Sequence, residues 1–368
     1  MLPIVAPQHF ALGQTVARPQ PVSNGMKKIK LKTALFLTIA LAGLIGASGV
    51  LYFYLSVEKI LTDKSIDLLI TAAESRADHI NTFLDGKKNI VAEFSSDTFI
   101  REQLILLKNE GNYADIGDTL SQYLLLNKIV IDRDIYEVVV LDAKGIIVGE
   151  SNPEADKVGE DRSDSELFLK GKVRPFISDI FYDEEFNRNA YAASAPIRPR
   201  GVFLGVIVIE MGLETLFRIT TDRTGLGKTG EIYIISEENY LLTPSRFLSG
   251  ENKGILTQVV DTENSKKCFK GIGRSGVFDD EELTEHSKVS EEIIFKNYRG
   301  ETTLGVHSHM VSQSWCLIAE IDKSEALSAP RQKLLLVSLF ILFATSLLYV
   351  SLMYFTRRLF DKNEARSY

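Results

Sequence analysis

Two stretches of the sequence share one pattern and decide the fold: EVVVLDAKGIIVGES at residues 137–151 and EIYIISEENYLLTPS at residues 231–245. Each begins with a glutamate and four apolar residues, passes through a polar turn, and continues with three apolar residues. Gly145 or Asn239 stands in the turn, and both residue types tolerate a positive φ. The pattern predicts a β-hairpin in each stretch, and its return after 94 residues predicts a tandem repeat.

The segments that follow each hairpin also correspond. A helical crossover is predicted after each hairpin, and three further strands follow, at 176–182, 191–197 and 203–210 in the first copy and at 292–297, 302–309 and 315–321 in the second. The second copy is about 17 residues longer, and we assign the surplus to a charged, glycine-rich loop at 271–289. These patterns predict an α+β fold with two tandem PAS-like lobes of antiparallel sheet, at residues 135–222 and 223–333.

A long helix is predicted before the first lobe, in a stalk covering residues 58–134. Eight apolar residues recur there at mostly three- and four-residue steps: Ile66, Leu69, Ala73, Ala77, Ile80, Leu84, Val91 and Phe94. Such a stripe is typical of an amphipathic helix. It fits either a helix packed on its own domain or the stalk of a dimer.

Two uncharged apolar segments, residues 33–57 and 334–356, each exceed the roughly 20 residues that a membrane-spanning helix needs. Residues 1–32 carry five basic and no acidic residues, whereas residues 58–333 carry 33 basic and 47 acidic ones. Residues 357–368 carry four basic and two acidic residues. Because basic flanks stay in the cytoplasm, we predict a two-pass inner-membrane protein with both termini cytoplasmic and residues 58–333 outside.

Three smaller features bear on the ends of the chain and on its oligomeric state. Met26, followed by a lysine-rich segment, would be a natural start, and residues 1–25 are then upstream sequence. The first span has two interleaved small-residue pairs that predict a parallel homodimer: Ala42, Gly43, Gly46 and Ala47. An extracytoplasmic compartment permits a disulfide between Cys268 and Cys316, but two lone cysteines in a large domain favour free thiols.

Catalytic and metal-binding patterns are incomplete. The glycine-rich residues 225–230 lack P-loop spacing, because Asp222 stands where the motif requires a glycine. His307 and His309 would share one strand face, but no nearby motif completes a metal site, and a solvated face is favoured. The acidic run at 279–282 lacks EF-hand spacing. We therefore predict no enzyme activity, no cofactor and no metal, and the acidic ectodomain argues against nucleic acid as a partner.

The chain resembles the double-Cache sensor domains of prokaryotic transmembrane receptors over roughly residues 57–330. The resemblance rests on phrases in a fixed order and spacing: DAKG at 142–145, GED at 159–161, SD at 178–179, API at 195–197, LGKTGEIYII at 226–235, YLLTPSRF at 240–247, NYRG at 297–300 and WCLIAEIDKSEA at 315–326. It implies a small-molecule sensor for transmembrane signalling. Such domains sit on histidine kinases, chemoreceptors or cyclases, but only 12 residues follow the second span. A separate effector or a truncated receptor is therefore expected. A membrane-anchored ectoenzyme subunit and a protein-binding scaffold are the alternatives.

By resemblance, the ligand binds in the first, membrane-distal lobe, beneath the crossover at 161–168. The predicted contacts are Arg162, Phe168, Asp179, Tyr182 and Tyr191. Amino-acid-binding relatives carry an arginine and an aromatic pair in this crossover, whereas this chain has Ser165, Glu166 and Leu167 there. We therefore expect an amine or another small polar metabolite, with Asp179 as its countercharge or else as a capping or pairing group inside the lobe. Arg162 would substitute for the missing arginine or stay exposed in a turn.

Overall fold

The computed structural model describes residues 24–152, 157–250, 252–270, 293–310 and 313–364. The chain forms two units, Glu58–Arg331 and the pair of segments Met1–Val57 and Gln332–Tyr368. The helices are α1 (Asn24–Ser95), α2 (Thr98–Glu110), α3 (Tyr113–Asn127), α4 (Glu166–Gly171), α5 (Glu214–Thr220), α6 (Glu263–Cys268), α7 (Lys323–Ala326) and α8 (Ser328–Glu364). Short 3-10 turns lie at Ile129–Ile131 and Pro199–Gly201. The region predicted as a stalk thus holds the end of α1, two further helices and a 3-10 turn.

The described residues of the unit that contains the chain ends are mostly apolar helix. Two parts of these helices, Phe36–Ser95 of α1 and Leu335–Arg358 of α8, each contain a stretch that is long and apolar enough to cross a membrane, by length and composition. Their large apolar side chains are exposed, as in Phe36 and Phe340, which suits a lipid environment. A Cβ added to Gly46 would lie 3.9 Å from Ile341, so α1 and α8 approach each other at this glycine.

The other unit, Glu58–Arg331, holds two antiparallel sheets. The first lobe contains β1 (Ile135–Asp142), β2 (Ile147–Glu150), β3 (Phe176–Ile177), β4 (Phe181–Asp183), β5 (Arg188–Ile197) and β6 (Gly205–Gly212), in the order β2-β1-β6-β5-β3 with β4 also on β5. The second lobe contains β7 (Glu231–Ile235), β8 (Ile293–Lys296), β9 (Thr302–Met310) and β10 (Trp315–Asp322), in the order β7-β10-β9-β8. The structure therefore confirms the predicted α+β fold with two tandem sheets.

The main hydrophobic core runs along α1 and one face of each sheet. All eight predicted stripe residues of α1, from Ile66 to Phe94, are buried there. Alternate residues of a strand point to opposite faces. Val138 and Val140 of β1 therefore face this core, and their neighbour Val139 faces a second, smaller cluster on the other side of the first sheet.

Both hairpin turns form as the sequence predicts. Gly145 has φ 92° and Asn239 has φ 66°. Gly145 has a second role, because a Cβ there would lie only 2.5 Å from Ser163 Cα. The amide of Arg162 donates to the Gly145 carbonyl at 2.8 Å, so the absence of a side chain lets the crossover pack directly on the hairpin.

The predicted strand at 176–182 is divided into β3 and β4. Ser178 causes the interruption, because its hydroxyl accepts from the Ala192 amide at 2.9 Å, in place of a backbone carbonyl. In the second lobe, the second strand of the predicted hairpin does not form a regular strand. Its residues form isolated β-bridges, Leu241 with Ile235 and Tyr240 with Val259. The predicted loop at 271–289 and the acidic run at 279–282 lie outside the described residues.

Two expectations in the second lobe are wrong. Cys268 of α6 and Cys316 of β10 form a disulfide instead of remaining free thiols. His307 and His309 are buried instead of solvated, since α6 covers their strand face and Asn264 of α6 hydrogen-bonds His307 Nδ1 at 2.7 Å. Burial lowers the pKa of His307 to about 4. Within the described ranges, no group of three or more His, Cys, Asp or Glu side chains could hold a metal ion.

The glycine-rich residues 225–230 form a turn that binds a carboxylate of the chain itself. The backbone amides of Lys228 and Thr229 donate to Glu325 at 2.8 and 2.6 Å. Backbone amides in such a turn can bind an anion, and here the anion is the carboxylate of Glu325 in α7. These hydrogen bonds tie the start of the second lobe to α7.

Candidate ligand-binding site

The candidate site is built on two glutamates at the centre of the first sheet. Glu137 of β1 and Glu210 of β6 are directly opposite each other in the antiparallel ladder. Each glutamate is two residues from a valine of its own strand, Val139 or Val208, that faces away from α1. Because alternate residues of a strand share a face, both glutamates are on that face too. The Glu137 side chain is fully buried, at 0 % exposure. Carboxylates in the middle of apolar strands are costly to bury, so their partners decide what the site does.

A cavity of about 440 Å³ opens over these glutamates. Its apolar floor consists of Val139, Leu141, Ile147 and Val208, with Leu167 and Phe181 at its sides. Its charged lining consists of five acids and two bases: Glu137, Asp183, Glu184, Glu185, Glu210, Lys157 and Arg162. Polar groups that converge over an apolar floor are a feature of small-molecule sites, and here the converging groups are mostly acids.

Lys157 neutralises one group of these acids. Its Nζ donates to both oxygens of Glu137, each at 2.9 Å, and lies 2.6 Å from a Glu185 oxygen. Burial lowers the pKa of Lys157, but the hydrogen bonds to Glu185 and Glu137 outweigh burial and hold the pKa above its ordinary value. Lys157 is therefore a fixed cation in the cavity wall.

Tyr136 joins two further acids, Asp183 and Glu210. Its hydroxyl donates to Asp183 at 2.7 Å and lies 3.3 Å from a Glu210 oxygen. The Phe186 ring centre lies 4.8 Å from that of Tyr136, and the Arg188 guanidinium lies 4.7 Å from the Tyr136 ring centre, so both side chains contact this ring. The second Asp183 oxygen accepts from the Glu185 and Phe186 amides at 2.9 and 3.1 Å, which fixes the carboxylate in the turn after β4.

The electrostatics of the site favour a cation. Burial raises the pKa of Glu210 to about 8, and repulsion by the Glu137 carboxylate acts in the same direction. A pKa of about 8 means that Glu210 tends to hold a proton near neutral pH, because burial disfavours its charged form and the neighbouring Glu137 carboxylate repels it. A positively charged group placed beside Asp183 and Glu210 would relieve this repulsion and lower the pKa of Glu210.

Two of the five predicted site residues line this cavity. Arg162 lies at its edge, where its guanidinium bonds to Glu160 at 2.7 Å. Tyr182 also lines the cavity, and its hydroxyl bonds to Asn187. Both side chains are exposed at the rim, and their contact with a ligand stays a prediction.

The other three predicted residues lie elsewhere. Phe168 is buried in the small cluster, against Phe203 at 6.5 Å. Tyr191 is fully buried in the main core on the opposite face of the sheet. The Asp179 carboxylate accepts from Trp315 Nε1 of the second lobe at 2.7 Å. The crossover is placed as predicted, since Arg162, Ser165 and Leu167 all line the cavity.

Four charged residues of the cavity were not predicted from the sequence: Glu137, Asp183, Glu210 and Lys157. A signal for two of them was present. Glu137 opens the first hairpin phrase, and Glu210 ends the apolar run of β6. A glutamate at the edge of an apolar strand run is informative, because glutamates are rarely buried unless they are paired.

The second lobe repeats this pair of glutamates but fills the space with its own side chains. Glu231 and Glu320 are opposite each other on β7 and β10, in the same relation as Glu137 and Glu210. Asn297 and Tyr233 donate to Glu320 at 2.6 and 3.0 Å. Tyr298 and Ser245 donate to Glu231 at 2.5 and 3.1 Å. The equivalent acids of the second lobe are thus satisfied internally, whereas those of the first lobe face a cavity.

The family model described as "Cache domain", in its double-Cache form, matches residues 57–330. The chain therefore belongs to the double-Cache family of sensor domains. No curated protein matches the chain significantly.

Solved structures with a similar fold include sensor domains of receptors. The Vibrio cholerae histidine kinase DctB sensor domain shows 12 % identity and a TM-score of 0.48, over 72 % of this chain and 98 % of that one. The Pseudomonas fluorescens chemoreceptor CtaA domain, in complex with L-leucine, shows 14 % identity and a TM-score of 0.46, over 74 % and 99 %. The Pseudomonas aeruginosa amino-acid chemoreceptor PctC domain, in complex with GABA, shows 19 % identity and a TM-score of 0.45, over 68 % and 96 %.

Proposed function

We propose that this protein is a membrane-anchored sensor that binds a small organic cation, an amine, in the cavity of its first lobe. One observation carries the ligand class: five acids and two bases line the cavity, and both bases are already paired with acids. Among the described residues that line the cavity, no cation is left to receive a ligand carboxylate. An ammonium group on a short apolar chain would match both the carboxylates and the floor.

The rest of the proposal concerns the membrane. Both termini are cytoplasmic, residues 58–333 are extracytoplasmic, and the chain signals as a parallel homodimer to cytoplasmic signalling machinery. The distribution of basic residues supports the topology. Since Cys268 and Cys316 are buried in a disulfide, they do not compete for a thiol label. External labelling in intact cells should then reach Ser163→Cys and fail at Ser367→Cys, and the reverse result contradicts the topology.

The ligand class can be tested with probes of equal length and different charge. The full chain in lipid nanodiscs would be heated with n-butylamine, n-butyrate or n-butanol at pH 8.5, where Glu210 is mostly ionised. We expect n-butylamine to raise the unfolding temperature, because a ligand at 100 times its Kd adds about 2.7 kcal/mol. Butyrate and butanol should have no effect. Stabilisation by butyrate instead of the amine would overturn the proposal.

A further inference from the structure

The side chain of Lys157 resembles the proposed ligand. It carries an ammonium group on four methylenes, which is a tethered butylammonium ion, and this ammonium lies between Glu137 and Glu185 at 2.6–2.9 Å. The lysine side chain is only 13 % exposed, and that of Glu137 is fully buried. One of the two groups of carboxylates in the cavity is therefore already occupied by a cation of the chain.

The other group of carboxylates is arranged differently. Asp183 and Glu210 share the hydroxyl of Tyr136 and, within the described ranges, neither forms an ion pair. Glu137 and Glu210 are opposite each other on neighbouring strands, so the two groups lie side by side in one cavity. Carboxylates therefore converge at two places in the cavity, and the Lys157 ammonium occupies one of these places.

We propose that Lys157 is a specificity-determining residue that makes the cavity select monoamines and reject diamines. This inference rests on the proposed function. A monoamine needs only the position beside Asp183 and Glu210. A diamine would bring a second ammonium group to Glu137 and Glu185, where the Lys157 ammonium already lies. Two ammonium groups beside the same carboxylates would repel each other.

The test compares n-butylamine with 1,4-diaminobutane on the full chain in nanodiscs, by calorimetry at pH 8.5. The wild type should bind n-butylamine at least about tenfold more tightly than the diamine, which corresponds to about 1.4 kcal/mol. Lys157→Met removes the charge but keeps most of the volume, and it should shift the ratio of the two affinities toward the diamine by at least about tenfold. Lys157→Arg keeps the charge, and it should retain the preference of the wild type.

Lys157→Met leaves Glu137 without its cation, so loss of folding must be separated from loss of selectivity. The diamine would restore the missing charge, and it should raise the unfolding temperature of Lys157→Met more than that of the wild type. An unchanged affinity ratio in Lys157→Met, with n-butylamine still bound by both proteins, overturns the role of Lys157 and leaves the proposed function intact. If neither amine binds either protein, the proposed function fails and this inference fails with it.

Discussion

Asp179 of the first lobe accepts a hydrogen bond from the indole Nε1 of Trp315 in the second lobe, at 2.7 Å. The Trp315 side chain is fully buried, and burial raises the pKa of Asp179. The pair joins the interruption between β3 and β4 to the first residue of β10. It therefore provides a direct polar link from the first lobe to the second lobe, which precedes α8.

Replacing Asp179 tests whether this carboxylate joins the lobes or contacts the ligand. Asp179→Ala leaves the buried indole N–H without its acceptor, which should cost about 1–3 kcal/mol of stability. Asp179→Asn keeps an oxygen acceptor and should cost less. Affinity for n-butylamine should change by less than about threefold in both variants, because Asp179 does not line the cavity. Loss of affinity at unchanged stability would instead make Asp179 the countercharge of the ligand.

A buried lysine fastens α1 to the segment just before β1. Lys87 donates to Asp132 at 2.5 Å and to Asp134 at 2.9 Å, and its side chain is 5 % exposed. Removing one partner of a buried ion pair typically costs about 3–5 kcal/mol, so Lys87→Met should lower the unfolding free energy by that amount. The neighbouring Lys88 pairs with Asp85 at 3.4 Å on the surface. Lys88→Met should therefore cost at most about 1 kcal/mol in the same denaturant titration, and equal losses in the two variants would contradict this assignment.

The raised pKa of Glu210 makes stability depend on pH. In the folded protein this pKa is about 8, whereas an exposed glutamate titrates near about 4.3. The folded state therefore binds more protons between these values, and the contribution of Glu210 to stability is full below about pH 4 and is lost as the pH rises through about 8. The unfolding temperature should fall from pH 6 to pH 9, and Glu210→Gln should flatten that fall. If the unfolding temperature falls equally steeply with pH in the wild type and in Glu210→Gln, then groups other than Glu210 determine the pH dependence.

The disulfide should contribute to the stability of the second lobe. Cys268 and Cys316 are separated by 48 residues, and their bond ties α6 to β10. Removing a native disulfide typically costs about 2–5 kcal/mol. The double variant Cys268→Ala and Cys316→Ala should be less stable by this amount, and a reductant should destabilise the wild type but not the variant. A wild type that is indifferent to the reductant under unfolding conditions would argue against the bond.

The sequence predicted the architecture well because the fold follows from local patterns. The buried stripe from Ile66 to Phe94 follows helical periodicity, and the turns at Gly145 and Asn239 follow from residues that adopt positive φ. The interruption at Ser178 was not predictable, because it depends on a hydroxyl bonding to the next strand. The burial of His307 likewise depends on α6, which approaches from a distant part of the chain.

The crossover lies over the first sheet, as the sequence predicted, but which residues contact a ligand stays a prediction. Tyr191 packs in the main core and Asp179 pairs with Trp315 of the second lobe, and neither packing partner can be read from the local sequence. The opposition of Glu137 and Glu210 requires the pairing of β1 with β6, which are separated by about 70 residues. The role of Lys157 depends on how the segment after β2 folds back onto the sheet. These are tertiary relationships, and no local pattern encodes them.

The central claim is that Asp183 and Glu210 hold the ammonium group of a ligand. The most direct measurement is the calorimetric affinity of the full chain for n-butylamine at pH 8.5, compared among the wild type, Asp183→Asn and Glu210→Gln. Glu263→Gln, a change at an exposed carboxylate of α6, is the matched control. Removing one partner of a buried charge pair costs about 2–5 kcal/mol, so each cavity variant should bind at least about 30-fold more weakly, while the control binds like the wild type. Wild-type affinity in both cavity variants would contradict the account.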